Sequence, residues 1–255
     1  MNRTFGDVLR DWRQVRRMSQ LDLALAADVS ARHISFLESG RASPSRAMTL
    51  KLAAALDMPK VAANEALASA GFAAAYPVFA PDAPDLAPIR RAISMTLMSH
   101  HPFPGIAINR TWDVLEANES ARQLLAALGG GPNMIEFLIF LGALDILENW
   151  EETAFLALLR LRSEIVLLGG DARLSAYAAR LAAHPRLQTA DPGAIDLDQA
   201  VIPAVFRLGD KRLSVFSTIA LFGSVQDVAA SEIRIELMYP ADDATAAFFR
   251  SFAAA

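Results

Sequence analysis

Cysteine is absent from the 255 residues, which removes disulfides, thiolate nucleophiles and every zinc or iron–sulfur site built on sulfur. Histidine is scarce at four residues, so acid–base chemistry near neutral pH has few carriers. There is no Gly-x-Ser-x-Gly elbow and no Walker loop. The glycines at 129–131 stand beside Pro132 as a helix stop, without the strand and helix that frame a nucleotide-binding glycine loop. No long uncharged apolar run exists either. The most apolar stretch, Met134 to Leu168, is interrupted by Glu136, Asp145, Glu148, Arg160 and others, which excludes a membrane helix there. Met1 to Leu9 lacks the apolar core of a signal peptide. Nor is there an excess of one charge: 24 basic residues face 28 acidic ones, and 53% of the chain is hydrophobic, so it folds. The expectation is a soluble cytoplasmic protein that is not an enzyme and has no cofactor, metal or membrane partner. An enzyme working through Asp and Glu fused to a binding head is the weaker alternative.

What is there begins with a charge asymmetry. Residues 1–60 hold ten basic and six acidic side chains, net +4, against −8 for the remainder. A small basic unit joined to a larger acidic one points to a polyanion partner for the first alone. Its pattern is of short helices. Thr4 caps a segment whose Phe5, Val8, Leu9 and Trp12 share one face. Ser19 with Asp22 opens a second, Ser30 caps a third that closes at Gly40, Ser43-Pro44-Ser45 starts a fourth, and a fifth runs from about Val61 to Ala70. Two short helices joined by a tight turn, the second exposing Ser30, Ala31, Arg32, His33 and Phe36, have the geometry that enters a DNA major groove; a small alanine-rich bundle is the bland alternative.

The residues Ser19-Gln20, Leu23-Ala24, Val29-Ser30, Ile34-Ser35, Leu37-Glu38-Ser39-Gly40-Arg41, Pro44 and Leu52 to Leu56 resemble the lambda-repressor-like, XRE-family helix-turn-helix. The resemblance spans residues 5–70. It implies a double-stranded DNA operator as partner, a recognition helix over Ser30–Ser39, a phosphate-touching and bracing role for Gln20, and a fold brace between Arg13 and Glu38. At the residue level, a guanidinium at Arg32 suits a bidentate contact to guanine. His33 either reads a base or does nothing. Phe36 either touches a thymine methyl or packs on the neighbouring helix, and Arg41, just past the helix, suits a phosphate.

Pro77, Pro81, Pro84 and Pro88 mark a stiff linker. We take residues 1–72 as the DNA-binding domain, 73–88 as linker and 89–255 as a second domain. In it, helix resumes from Leu86 with Ile89, Ile93, Thr96 and Leu97 on one face. Strand-like runs follow at Gly105–Asn109 and Trp112–Leu115, then a helix capped by Asn118, helical sequence over 134–184, and a period of two in Val201–Leu208, Lys211–Phe222 and 233–239, before a last helix at Ala244–Phe252. Five antiparallel strands, with helices inserted after the second and packed on one face, make the fold an all-α helix-turn-helix domain followed by an α+β, PAS-like domain.

The segments Ala70-Gly71-Phe72-Ala73, His100 to Gly105, Asn109-Arg110-Thr111-Trp112-Asp113 and Glu116-Ala117-Asn118 resemble the MmyB-like group of XRE regulators, with His101 where relatives usually carry Glu and Asn109 where many carry Asp. The resemblance implies a PAS-like effector domain and a fatty-acid-like or other small apolar ligand. The candidate pocket is Ile106, Ile108, Trp112, Val215, Ile219 and Leu237 with Phe137, Phe140 and Leu141. Arg90, Arg91 or Arg110 would receive a ligand carboxylate. His100 and His101, being adjacent, cannot share a helical face as metal ligands and are read as capping a helix or bonding the backbone. The whole is read as a homodimeric, ligand-sensing transcriptional regulator. In the alternative the second domain takes no ligand and recruits polymerase or another regulator.

Overall fold

A computed structural model describes residues 3–80, 82–191, 193, 201–223 and 225–252; Pro81 of the linker lies outside them. By contact density the chain divides into two units. One is Met1–Val78 with Ser163–Asp171 and Gln226–Val228, and the other is Phe79–Arg162, Ala172–Val225 and Ala229–Ala255.

Local chemistry sets the helix starts of the first unit. α1 (Phe5–Val15) and α2 (Gln20–Ala26) each begin with a capping box, Thr4 with Asp7 and Ser19 with Asp22, so two otherwise orphaned amides are satisfied at each end. Ser30 caps α3 (Ala31–Glu38) and Ser45 caps α4 (Arg46–Ala55) through their hydroxyls, while α5 (Lys60–Ser69) starts after Pro59. One face of each helix is apolar, and Phe5, Leu9, Trp12, Leu23, Ile34, Leu37, Leu52 and Leu56 close into a single core. Each fully buried leucine contributes about 1.5–3 kcal/mol. Gly6 is required where α1 meets the end of α3. A Cβ there would stand 2.8 Å from the Leu37 carbonyl oxygen and 2.6 Å from that of Glu38. Gly40, at φ +70°, lets the chain reverse after α3: its amide donates to the Leu37 carbonyl and the Arg41 amide to the Phe36 carbonyl, which returns Arg41 alongside Phe36.

The second unit opens with α6 (Ala87–Ser99), then β1 (Gly105–Ile108) and β2 (Val114–Ala117). The helices α7 (Glu119–Ala127), α8 (Met134–Leu141), α9 (Trp150–Leu167), α10 (Ala172–Ala182) and α11 (Pro185–Thr189) follow. β3 (Ala204–Leu208), β4 (Lys211–Leu221), β5 (Arg234–Pro240) and α12 (Asp243–Phe252) complete it. The strands form one sheet of order β2-β1-β5-β4-β3, every neighbour antiparallel. This is the expected α+β, PAS-like architecture with its helices inserted after the second strand. Both faces of the sheet are used, however. Ile93 and Leu97 of α6 pack with Ala107, Ile235 and Leu237 on one face, whereas Glu236 and Met238, the alternate positions of β5, look toward α8 and α9.

β2 starts two residues later than the period suggests. Trp112 adopts φ +65°, a left-handed conformation that a bulky side chain rarely takes, and the tight turn it closes consumes the residues that would have extended the strand. No helix among the described residues is long and apolar enough to cross a membrane.

Candidate functional site

Glu38 organises the first of two sites. It is buried, its side chain 3% exposed, and it takes three donors: Arg13 Nε at 2.6 Å and Nη2 at 3.0 Å, and Gln20 Nε2 at 2.8 Å. Arg10 adds a bond to the Glu38 carbonyl oxygen at 2.7 Å. Burial pushes the Glu38 carboxyl up, but the bonds from Arg13 and Gln20 and the charges of Arg13 and Arg10 outweigh it and hold the group below its ordinary value. Helices α1, α2 and α3 are thus joined by one carboxylate. Gln20 spends its amide on this joint.

The outward side of α3 carries Arg32, exposed, with His33 and Phe36 half-buried. Phe36 is not among the hydrophobic residues packed on the core; Ala31 is, so of the expected contact residues Ala31 belongs in part to the fold. Basic groups on and beside α1 are already engaged: Arg3 with Asp11, Arg10 with Asp7 and Glu38, Arg13 with Glu38, and Arg16 with the carbonyls of Leu56 and Asp57. Arg32, Arg41 and Arg46 carry no ion pair among the described residues and are exposed. An exposed α3 flanked by uncommitted guanidiniums suits a phosphate-lined groove.

The second site is a cavity of about 370 Å3 over β3, β4 and β5, within the range of small-molecule sites. Phe137, Leu138 and Leu141 of α8, Leu156 and Ala157 of α9, Phe206, Val215 and Met238 of the strands, and Trp112 make its wall. It reaches Ser217 and Ile219, which are exposed. Two charged side chains share this wall: Arg160 and Glu236, paired at 3.4 Å. The Arg160 guanidinium also stands 4.3 Å from the Trp112 ring centroid, and that of Arg234 at 5.2 Å.

Five of the nine residues expected to line a pocket do so: Trp112, Phe137, Leu141, Val215 and Ile219. Four do not. Leu237 points to the α6 face, because the sheet has apolar cover on both sides and strand parity alone does not say which is hollow. Ile106 and Ile108 are fully buried in β1, one strand away from the cavity. Phe140 is 46% exposed, on the side of α8 that meets Gly129. Nor do the arginines expected to meet a carboxylate line the cavity; Arg90 bonds the Ala83 carbonyl and Arg110 pairs with Glu232. Arg160 is the arginine that lines it. It was visible only as a charge interrupting an apolar run, and Glu236 only as the polar alternate of β5. His100, the C-cap residue of α6, donates to the Met238 carbonyl at 2.8 Å, whereas His101 Nδ1 lies 3.2 Å from the Ser120 hydroxyl, a side-chain contact.

The strained Trp112 is held by its neighbours. Asn109 Oδ1 accepts from the amides of Thr111 and Asp113, while Asp113 accepts from Asn109, Thr111, Asn133 and Arg173. Burial raises the Asp113 carboxyl, but these hydrogen bonds prevail and hold it down at about 2. A depressed folded-state value means the carboxylate stabilises the fold above its ordinary titration near 3.8 and loses that contribution as pH falls toward 2. In acid-unfolding curves, Asp113→Asn should therefore lie below the wild type at pH 6 and converge on it only as the pH falls to about 2. A constant gap across that range would contradict the assignment.

Two family models match the chain. One described as an MmyB-like transcription regulator ligand binding domain matches residues 89–252, and one described as a helix-turn-helix domain matches residues 4–66. A comparison with curated proteins finds no match.

Proposed function

The chain belongs to the MmyB-like transcription regulators, and from that premise we propose that it binds an operator as a homodimer in the cytoplasm and that a fatty-acid-like molecule in the cavity over β3, β4 and β5 changes that binding. Its domains are those of a ligand-responsive regulator, a helix-turn-helix followed by a ligand-binding domain. The boundaries we assign are 1–72, a linker over 73–88, and 89–255. The observation that carries the ligand reading is the cavity itself, with a largely apolar wall, lying within the matched ligand-binding domain. An acyl chain fits such a wall, and a carboxylate finds Arg160 in it, at the cost of loosening Arg160 from Glu236. Polymerase or a co-regulator would be contacted by the DNA-bound form.

Native mass spectrometry of gently purified protein tests both halves of this reading at once. The expected species is a dimer that releases a fatty-acid-like molecule on denaturation. A monomer with no adduct, unchanged by added fatty acids, would contradict it.

On the DNA side, α3 supplies Ser30, Arg32, His33 and Phe36 to the bases, and Arg41 and Arg46 supply phosphate contacts. Two-fold symmetry calls for half-sites about 10 bp apart or a multiple of that. Arg41→Ala and Arg46→Ala should each weaken binding to all duplexes alike and lower the slope of log affinity against log salt by about 1. Salt titrations in a fluorescence anisotropy assay read this directly. A loss confined to one sequence would make either residue a base reader instead.

A further inference from the structure

Arg32 and Phe36 stand one helical turn apart on the exposed side of α3, and the Arg32 guanidinium carbon lies 5.1 Å from the Phe36 ring centroid. The chain reversal at Gly40 brings a second guanidinium, Arg41, to 5.9 Å from the same ring. Phe36 is therefore a half-buried aromatic with two cations beside it that have no carboxylate partner among the described residues. Such a ring fixes the planes of the guanidiniums beside it.

The consequence for base recognition is geometric. A guanidinium bonded to N7 and O6 of guanine lies in the plane of that base. A ring stacked on the face of that guanidinium, its centroid 5.1 Å away, reaches the level of the neighbouring base pair, since pairs are stacked about 3.4 Å apart. The right-handed twist of the duplex brings the C5 position of the pyrimidine on the 5′ side beside the major-groove edge of the following guanine. A methyl at that C5 would meet Phe36 and the face of the guanidinium together, whereas a bare C–H would leave a gap.

We propose that Arg32 and Phe36 read a thymine–guanine step as one unit, Arg32 bonding the guanine and Phe36 covering the 5-methyl of the preceding thymine, so that 5-methylcytosine replaces thymine there and cytosine does not. Phe36 is then a specificity-determining residue as well as the group that orients Arg32. Arg41, beside the same ring, ties the unit to the backbone. The inference rests on the operator-binding reading above and adds the step that is recognised.

The test starts from selection of the full chain on a random duplex pool, followed by affinity measurements on the selected site. Enriched sites should share a TpG step in each half-site. On wild-type protein, replacing that thymine by deoxyuridine, which removes the methyl and nothing else, should cost about fourfold, the worth of one buried methyl. Cytosine should lose at least as much, and 5-methylcytosine should recover most of it. Phe36→Ala should narrow the gap between the thymine and deoxyuridine sites while still preferring guanine. Arg32→Ala should lose that guanine preference by about tenfold or more. Because the base analogues are read on unaltered protein, misfolding of a variant cannot imitate the result. Enriched sites without the step, or equal wild-type binding to thymine and deoxyuridine, would overturn this inference alone. A pool that yields no enriched sequence would overturn the operator reading and this inference with it.

Discussion

Glu38→Ala is expected to destabilise the N-terminal unit by about 3–5 kcal/mol, which in a unit of this size lowers its melting temperature by more than about 10 °C. The size follows from what is left behind. Arg13 is itself largely buried, its side chain 13% exposed, and it would lose both bonds to the carboxylate and keep only the one to the Met18 carbonyl. Gln20 would lose its acceptor as well. A buried guanidinium without its counter-charge costs far more than an exposed one, whose pairing is worth less than about 1 kcal/mol. Glu38→Gln should fall between, because it keeps a carbonyl acceptor but no charge. Urea unfolding followed by circular dichroism checks this. A midpoint within error of the wild type would mean that the three helices are held by the apolar core alone. The exposed ion pair Arg3–Asp11 provides the contrast, and Asp11→Ala should shift the midpoint little.

The helices that this joint ties together could be read from the amino acids, for a reason that also explains why the joint itself could not. Thr4, Ser19, Ser30, Ser45 and Asn118 announce helix starts because a cap acts on an amide three residues away. Gly40 and Gly71 announce the ends in the same local way. The Arg13–Glu38 pair spans 25 residues and was legible only through resemblance to a known motif. In the second unit the period of two found β3, β4 and β5, yet Leu237 and Met238 could not be told apart by function. Alternation separates two faces without saying which one α6 covers. Arg160 and Glu236 meet across 76 residues and two elements, so their pairing leaves no trace in any window of sequence. The late start of β2 has the same origin, since the left-handed turn at Trp112 is held by Asn133 and Arg173 from distant helices.

A second large effect is expected from filling the cavity. Ala157 lies on α9 and lines it, so Ala157→Phe would place a ring in open space. An acyl ligand denied about 100 Å2 of apolar contact would lose about 2.5 kcal/mol at about 25 cal/mol per Å2, close to a hundredfold in affinity. The ligand-free protein should at the same time be no less stable, because the ring gains contacts where the wall had none. Isothermal titration with medium- and long-chain fatty acids and acyl-CoAs gives the first quantity and thermal unfolding the second. Loss of stability without change in affinity would show that the space is not available to a side chain and that the ligand sits elsewhere. Arg160→Ala offers a complementary reading. It should weaken a fatty acid more than the corresponding alcohol if the guanidinium receives the carboxylate.

A ligand alters DNA binding only through its different affinity for the states that bind DNA well and poorly, and the coupling must be the same from either side. The most direct test is therefore the operator affinity of the full chain measured with and without saturating ligand, alongside ligand affinity measured with and without operator. The two ratios should agree, at about 5- to 150-fold for a coupling of 1–3 kcal/mol, and Ala157→Phe should remove the response to ligand while leaving ligand-free operator binding intact. Operator affinity unmoved by a ligand known to occupy the cavity would contradict this coupling.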